Sequence, residues 1–447
     1  MSVSESEARQ IISALRSGTV PRLGLHHFAT GLDPLLEVFD EELAETAEGS
    51  GHGRSKWVRG EYGSGKTFAT RLMCARARQN GFATSEVQVS INDTPLHKLE
   101  TVYRRLMERL TTDADGENAF KAVVDGWLFE IGEEVTRLKG LAETDPSFAD
   151  AVEQRLDDKL NQLGKEASPF ALALRAYHRA MLESDFATAQ GLLAWLAGQP
   201  LIDRALLSKA HVKGAVDGQA ALSFLRGVLV LLRQSGYQGL VLVLDEVETI
   251  QRMPNQATRD KCLNVLRQLM DMLQVDQLPG LYLMVTGTPE LFDGYKGIKS
   301  LQPLYDRVNV RWGDNPLHDN LRATQVRLLP FDQDRLYQVG QRVREIFPAK
   351  NDGRVLEKVN DAFLRSLVDQ VTEGFGGKVS IAPRHFLRGL VDVMDRVDLR
   401  EDFDPVAHYR LKIEDADLTP EELEAVKGTE RVGDAHEPAA RRRRLDG

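Results

Sequence analysis

The apolar positions of this chain change period several times, and each change predicts an element. Ile11, Ile12 and Leu15 fall on one side of a helix over 5–16, stopped by the Gly18 to Pro21 stretch. A second helix is predicted over 34–47, then a glycine-rich loop from Glu48 to Arg54 and a short strand from Lys56 to Arg59. Phe68 to Gln79 reads as a helix ended by Asn80-Gly81, and the alternation of Thr84 to Ile91 as a strand. From about 96 to 235 helical periodicity continues with no convincing strand and no fixed-period repeat. Gly239 to Asp245 (GLVLVLD) and Gly280 to Thr286 (GLYLMVT) are short, unbroken apolar runs with a helix over 258–274 between them. Such runs suit strands buried on both faces of a parallel sheet. Helices follow over 332–347, 354–373 and from Pro383 to about Val397, where proline suits a first turn.

This order is α/β, and the composition sets its bounds. The 447 residues are 42% hydrophobic and 28% charged, enough to bury a sizeable core. At roughly 150 residues per domain the length suggests two or three units. Against 57 basic residues stand 67 acidic ones, a net charge of −10, which argues against a uniformly basic nucleic-acid coat but leaves room for a local basic groove. The two cysteines, Cys74 and Cys262, lie in helix-like stretches and exclude a disulfide framework or a zinc finger. No apolar run approaches the roughly 18 residues of a membrane span, and the polar start has no signal core. A cytoplasmic, reducing compartment is expected. After Glu414 the chain turns acidic and ends EPAARRRRLDG, which reads as a disordered tail. Arg441 to Arg444 could touch nucleic acid or an acidic partner, or only solubilise the tail.

The chemistry begins at Gly60-Glu61-Tyr62-Gly63-Ser64-Gly65-Lys66-Thr67, which satisfies G-x-x-x-x-G-K-[ST], the Walker A pattern, between a predicted strand and helix. Gly63 and Gly65 let successive N–H groups face one anion, and the helix N-terminus adds partial positive charge. Lys66 can reach the outer phosphates, the Thr67 hydroxyl can ligate Mg²⁺, and Phe68 completes the binding set. Leu240 to Glu246 (LVLVLDE) is a Walker B candidate. There Asp245 would hold Mg²⁺ through water and Glu246 would polarise the attacking water, which separates hydrolysis from simple binding. Thr286 or Thr288, at the tip of the next strand, could contact the γ-phosphate or its water; otherwise both cap the turn. Arg307 suits a finger inserted into a neighbour's site, with Arg311 as competitor and a surface ion pair to Asp306 or another acid as alternative. Arg384 falls in a first helical turn, where the dipole disfavours it; a phosphate or a plain salt bridge could compensate. Trp57, Trp127 and Trp195 read as packing residues, and His26 and His27 lack partner ligands for a metal.

The ordered set of phosphate loop, acidic strand, polar strand tip, arginine and helical lid with arginine resembles the AAA+ class of P-loop ATPases over about residues 30–400. The chain departs from that class in the long helical stretch between the Thr84 and Leu240 strands, which implies an insertion near 113–215. The implied organisation is an N-terminal helical segment at 1–30 and a P-loop core at 31–330. A helical lid at 331–400 and a C-terminal extension at 401–447 follow. More narrowly, ARQIISALRSGTVPRLGL, GEYGSGKTF, LVLVLDEVETI and IAPRHFLRGLVD resemble the BREX-system ATP-binding proteins of the BrxD group. The resemblance implies ATP and Mg²⁺, a homo-oligomer, and bacterial anti-phage defence beside a helicase-like partner. The implied role is to remodel or license a DNA-associated complex, with double-stranded DNA a candidate contact. With only 401–447 beyond the lid, such contact would need the insertion, a ring pore or the tail. An AAA+ regulator of DNA transposition is the alternative, since GTPELF is shared with such proteins. A non-hydrolysing nucleotide-dependent scaffold is another, and Glu246 speaks against it.

Overall fold

The computed structural model describes residues 3–48, 53–142, 144–161, 168–374, 382–411 and 418. Part of the glycine-rich loop, Ile381 of the IAPRHF stretch, and the tail with Arg441 to Arg444 lie outside the described residues.

Five strands, β1 (Arg54–Arg59), β2 (Ala83–Gln88), β3 (Leu240–Asp245), β4 (Leu281–Gly287) and β5 (Gln325–Arg327), form one parallel sheet in the order β2-β3-β4-β1-β5. Every residue of β3 and β4 is buried, as their unbroken apolar runs require. β2 ends three residues before the expected Ile91. There Ser90 turns the chain, its hydroxyl accepting from the N–H groups of Asp93 and Thr94 at 3.1 and 2.9 Å. The three-residue β5, which pairs with β1, was not expected from the pattern.

The helices up to the third strand are α1 (Glu5–Arg16), α2 (Asp33–Ala47), α3 (Lys66–Gln79), α4 (Leu99–Glu108), α5 (Phe120–Lys139), α6 (Phe148–Asn161), α7 (Ser168–Leu182), α8 (Phe186–Leu196), α9 (Arg204–Lys209) and α10 (Gly218–Gln234). After it come α11 (Gln256–Gln274), α12 (Pro289–Asp293), α13 (Gln302–Val308), α14 (Gln333–Ile346), α15 (Asp352–Lys358), α16 (Asp361–Gly374), α17 (Ala382–Leu399) and α18 (Pro405–His408). The single helix expected over 354–373 is therefore two. It breaks at Asn360, whose Oδ1 accepts from the Phe363 N–H at 3.0 Å and opens α16.

The chain divides into two units. One, Leu32–Arg59 with Lys66–Arg327, holds the sheet and the long helical stretch. A continuous apolar cluster runs through it from Trp57 to Val308. Phe224 of α10 is the hub of the helical part: Tyr103, Phe170 and Trp195 meet it edge-on, at 6.0, 5.3 and 5.2 Å between centroids. Trp127 and Trp195 donate to Gln234 Oε1 and the Gly214 carbonyl at 3.1 and 2.8 Å, so both pack as read. Cys74 and Cys262 are buried free thiols.

The other unit takes Met1–Gly31, Gly60–Gly65 and Leu328–Gly447. In it α1 lies on α17, and the Arg16 guanidinium grips Asp395 through Nε and Nη2 at 2.7 and 2.8 Å. Among the described residues no helix is long and apolar enough to cross a membrane.

Candidate functional site

The Gly60–Thr67 loop joins β1 to α3. Its curl depends on Gly63 and Gly65, whose φ angles of 78° and 87° lie where L side chains are strained. The Ser64 N–H closes a turn onto the Glu61 carbonyl at 3.2 Å. The Ser64 Oγ is buried with no hydrogen-bond partner among the described residues. A buried orphan hydroxyl is costly unless something polar meets it, and a phosphate oxygen is suited to do so. α3 opens at Lys66, which is buried.

β2, β3 and β4 end together. Gln88 pairs in register with Asp245, and Leu244 with Val285, so Gln88, Asp245 and Thr286 share the carboxyl edge of the sheet. In open parallel sheets this edge is where ligands bind. Asp245 is gripped from two sides: Thr67 Oγ1 donates to Oδ2 at 2.8 Å and Thr286 Oγ1 to Oδ1 at 2.5 Å. The Glu246 N–H is shared between Asp245 Oδ1 at 3.1 Å and Thr286 Oγ1 at 3.0 Å. The Thr286 hydroxyl thus accepts from one acidic residue's backbone and donates to the other's carboxylate.

Glu246 sits at φ 58°, in the left-handed region that a non-glycine residue adopts at a cost of order 1–3 kcal/mol. Gln88 Nε2 donates to its Oε2 at 2.8 Å. The strand reading to Ile91 hid this role, because Gln88 did not then stand at a strand tip. Glu248 was also missed. It lies in the short 3₁₀ turn Val247–Arg252, with Oε1 3.9 Å from Lys66 Nζ. Burial pushes its carboxyl above the ordinary range, while Lys66 pulls it back. The only signal in the sequence was an acid three residues past Asp245, in D-E-V-E.

The other stations divide. Thr286 joins the acidic residues; Thr288 is the N-cap position of α12 and makes no side-chain cap bond. Arg307, at the end of α13, is held on α11 by Asp271, Nη2 to Oδ1 2.6 Å, and donates to Gln274 Oε1 at 3.4 Å. The pairing acid within the chain is Asp271, not Asp306. Arg311 is exposed. Arg384 stands in the first turn of α17, in the other unit, where a Cβ built on Gly18 would lie 3.1 Å from its Nε. The His26 and His27 ring centroids lie 4.0 Å apart with the planes tilted by 38°, and His27 Nε2 lies 3.6 Å from Glu7. No group of three His, Cys, Asp or Glu placed to hold a metal occurs among the described residues.

A family model for BREX system ATP-binding protein BrxC/D matches residues 3–413. The chain belongs to this BrxC/BrxD family. Membership supports an ATP-binding role in a phage-defence system, with other components of that system as partners. No curated protein and no solved structure matches the chain. The site residues of this BrxC/BrxD protein fit the ligand by their chemistry. A glycine loop, a helix N-terminus and a lysine suit phosphates. Thr67 and Asp245 are hard oxygen donors already 2.8 Å apart, and Mg²⁺ commonly takes one or two such protein ligands and completes its shell with phosphates and water.

Proposed function

We propose that this BrxC/BrxD protein binds ATP with Mg²⁺ and hydrolyses it, as an oligomer whose turnover remodels or licenses a DNA-associated defence complex. The observation that carries the reading is the Asp245 carboxylate held between the hydroxyls of Thr67 and Thr286. That grip ties the tips of β3 and β4 to the first turn of α3, immediately after Lys66.

In this reading the loop N–H groups from Gly60 to Gly65, with Lys66, Thr67 and Phe68, hold the nucleotide. Thr67 and Asp245 hold Mg²⁺, which when bound neutralises developing phosphate charge. Glu246 accepts the proton of the attacking water, with Gln88 keeping its carboxylate oriented. Thr286 fixes the backbone of Glu246, and Thr288 borders the same strand end. Arg307 acts in trans on a neighbour's γ-phosphate, and Arg384 reads the nucleotide from the lid. The net charge of −10 leaves any DNA contact to a local surface.

The test is the ATPase rate of the full chain with and without double-stranded DNA, with its mass measured with and without ATP. Hydrolysis by the wild type and loss of ATP binding in Lys66→Ala are expected. Near-normal nucleotide affinity in Lys66→Ala removes the assignment of the loop. A rate and mass indifferent to both DNA and ATP remove the oligomeric, DNA-linked part.

A further inference from the structure

Lys66 faces a carboxylate supplied by the chain itself. Its Nζ stands 3.9 Å from Glu248 Oε1, and the two side chains are only 9% and 17% exposed. The three acids at the end of β3 and just after it are held in different ways. Asp245 has two hydroxyls and Glu246 has the Gln88 amide, whereas Glu248 Oε2 is buried with no hydrogen-bond partner among the described residues. The Glu248–Lys66 distance is that of an ion pair but too long for a hydrogen bond. The β- and γ-phosphates of a nucleotide seek the same ammonium and carry the same sign as Glu248.

We propose that Glu248 is an internal competitor of nucleotide for Lys66, a carboxylate that phosphate must displace, and that it thereby sets how tightly nucleotides carrying a β-phosphate bind. The inference rests on the ATP-binding reading above and names a regulator of the same site. A purely structural Glu248 would leave affinity unchanged when replaced by its isosteric amide. A Glu248 that helped hold the ligand would weaken binding when replaced. Only a competitor predicts tighter binding.

The experiment is titration of the full chain with ATP, ADP and AMP, first in chelator and then with Mg²⁺, for wild type, Glu248→Gln and Lys66→Ala. Glu248→Gln is expected to bind ATP and ADP up to about tenfold tighter, the worth of one partly buried ion pair. AMP, which lacks the phosphates that reach Lys66, should bind both proteins alike. Thermal melts check folding. If Glu248→Gln does not fold, Glu248→Leu replaces it and carries the same expectation, since it also removes the charge and the orphan oxygen. Unchanged or weaker ATP binding overturns the proposal, as does an equal gain for AMP. If Lys66→Ala loses binding and Glu248→Gln shows no gain, only this inference fails. If Lys66→Ala binds ATP like the wild type, the reading beneath it fails too.

Discussion

Two of the buried lysine–glutamate pairs in the sheet unit, Lys56–Glu42 and Lys66–Glu248, are built to opposite ends. Lys56, on β1, is finished. Its Nζ donates to Glu42 Oε1 at 2.6 Å and to the carbonyls of Leu321 and Ala323 at 2.9 and 3.0 Å, which uses all three of its N–H bonds. The other Glu42 oxygen accepts from the Tyr282 hydroxyl at 2.5 Å. Burial pulls the Lys56 ammonium below its ordinary value while Glu42 pushes it up. The network fastens α2 to β1 and β4, and every Lys56 N–H is used within it. Glu248 is unfinished: it stands 3.9 Å from Lys66, and its Oε2 has no hydrogen-bond partner among the described residues. A saturated buried pair is architecture, whereas a loose one is a contact that a stronger anion can displace.

The largest effect expected is on that architecture. Lys56→Met strands the Glu42 carboxylate in the core and should cost about 3–5 kcal/mol, read as a lowered denaturation midpoint. Lys66→Met should lose nucleotide and cost less than Lys56→Met in the same measurement, since the Glu248 carboxylate stands 3.9 Å from the ammonium rather than hydrogen-bonded to it. Equal destabilisation by the two substitutions would erase the distinction between the pairs.

Next in size is Glu246→Gln. The amide keeps the shape and can still accept from Gln88, but it is no longer a base. Turnover should fall at least about a hundredfold with ATP affinity retained. An unchanged rate moves the base elsewhere, and Glu248 would be the first place to look.

Thr286→Val should follow, at about 1–3 kcal/mol of stability, because it strips one partner from Asp245 and one from the Glu246 N–H inside a buried cluster. Thr286→Ser keeps the hydroxyl and should restore most of the loss. If Ser and Val behave alike, the γ-methyl matters and the hydroxyl relay does not.

These residues also show how far the sequence could be read. β3 and β4 were legible because strands buried on both faces must be apolar throughout, and a Leu/Val run that stops at Asp245 says where the strand ends. The loop was legible because few other folds need two glycines, a lysine and a hydroxyl at that spacing. β5 was not, since three residues make no period. Gln88 and Glu248 were not, because their places depend on where β2 stops and how the 3₁₀ turn after β3 points, and those are set by packing rather than pattern. The Lys56–Glu42 pair was hidden for the same reason: a lone lysine in a strand gives no hint that a helix 14 positions earlier supplies its acid.

The smallest structural effect should come from the Arg307–Asp271 pair, and it separates two meanings of one contact. The side chains are 28% and 36% exposed, a setting in which ion pairs contribute about 0–1 kcal/mol. Asp271 also takes Arg267 at 2.9 Å, so it keeps a cation if Arg307 leaves. If Arg307 serves only this pair, Arg307→Ala and Asp271→Asn should be equally mild in every measurement. If Arg307 is a finger, they diverge. Arg307→Ala then loses hydrolysis while keeping ATP affinity, because the arginine acts on transition-state charge in a neighbouring copy, and Asp271→Asn does not. Mixing Arg307→Ala with Lys66→Ala should restore part of the activity, since mixed interfaces contain one intact copy of each half of the shared site. A chain that stays monomeric with ATP and still hydrolyses it, or mixed oligomers that form without rescue, would leave Arg307 as the surface ion pair it makes within its own chain.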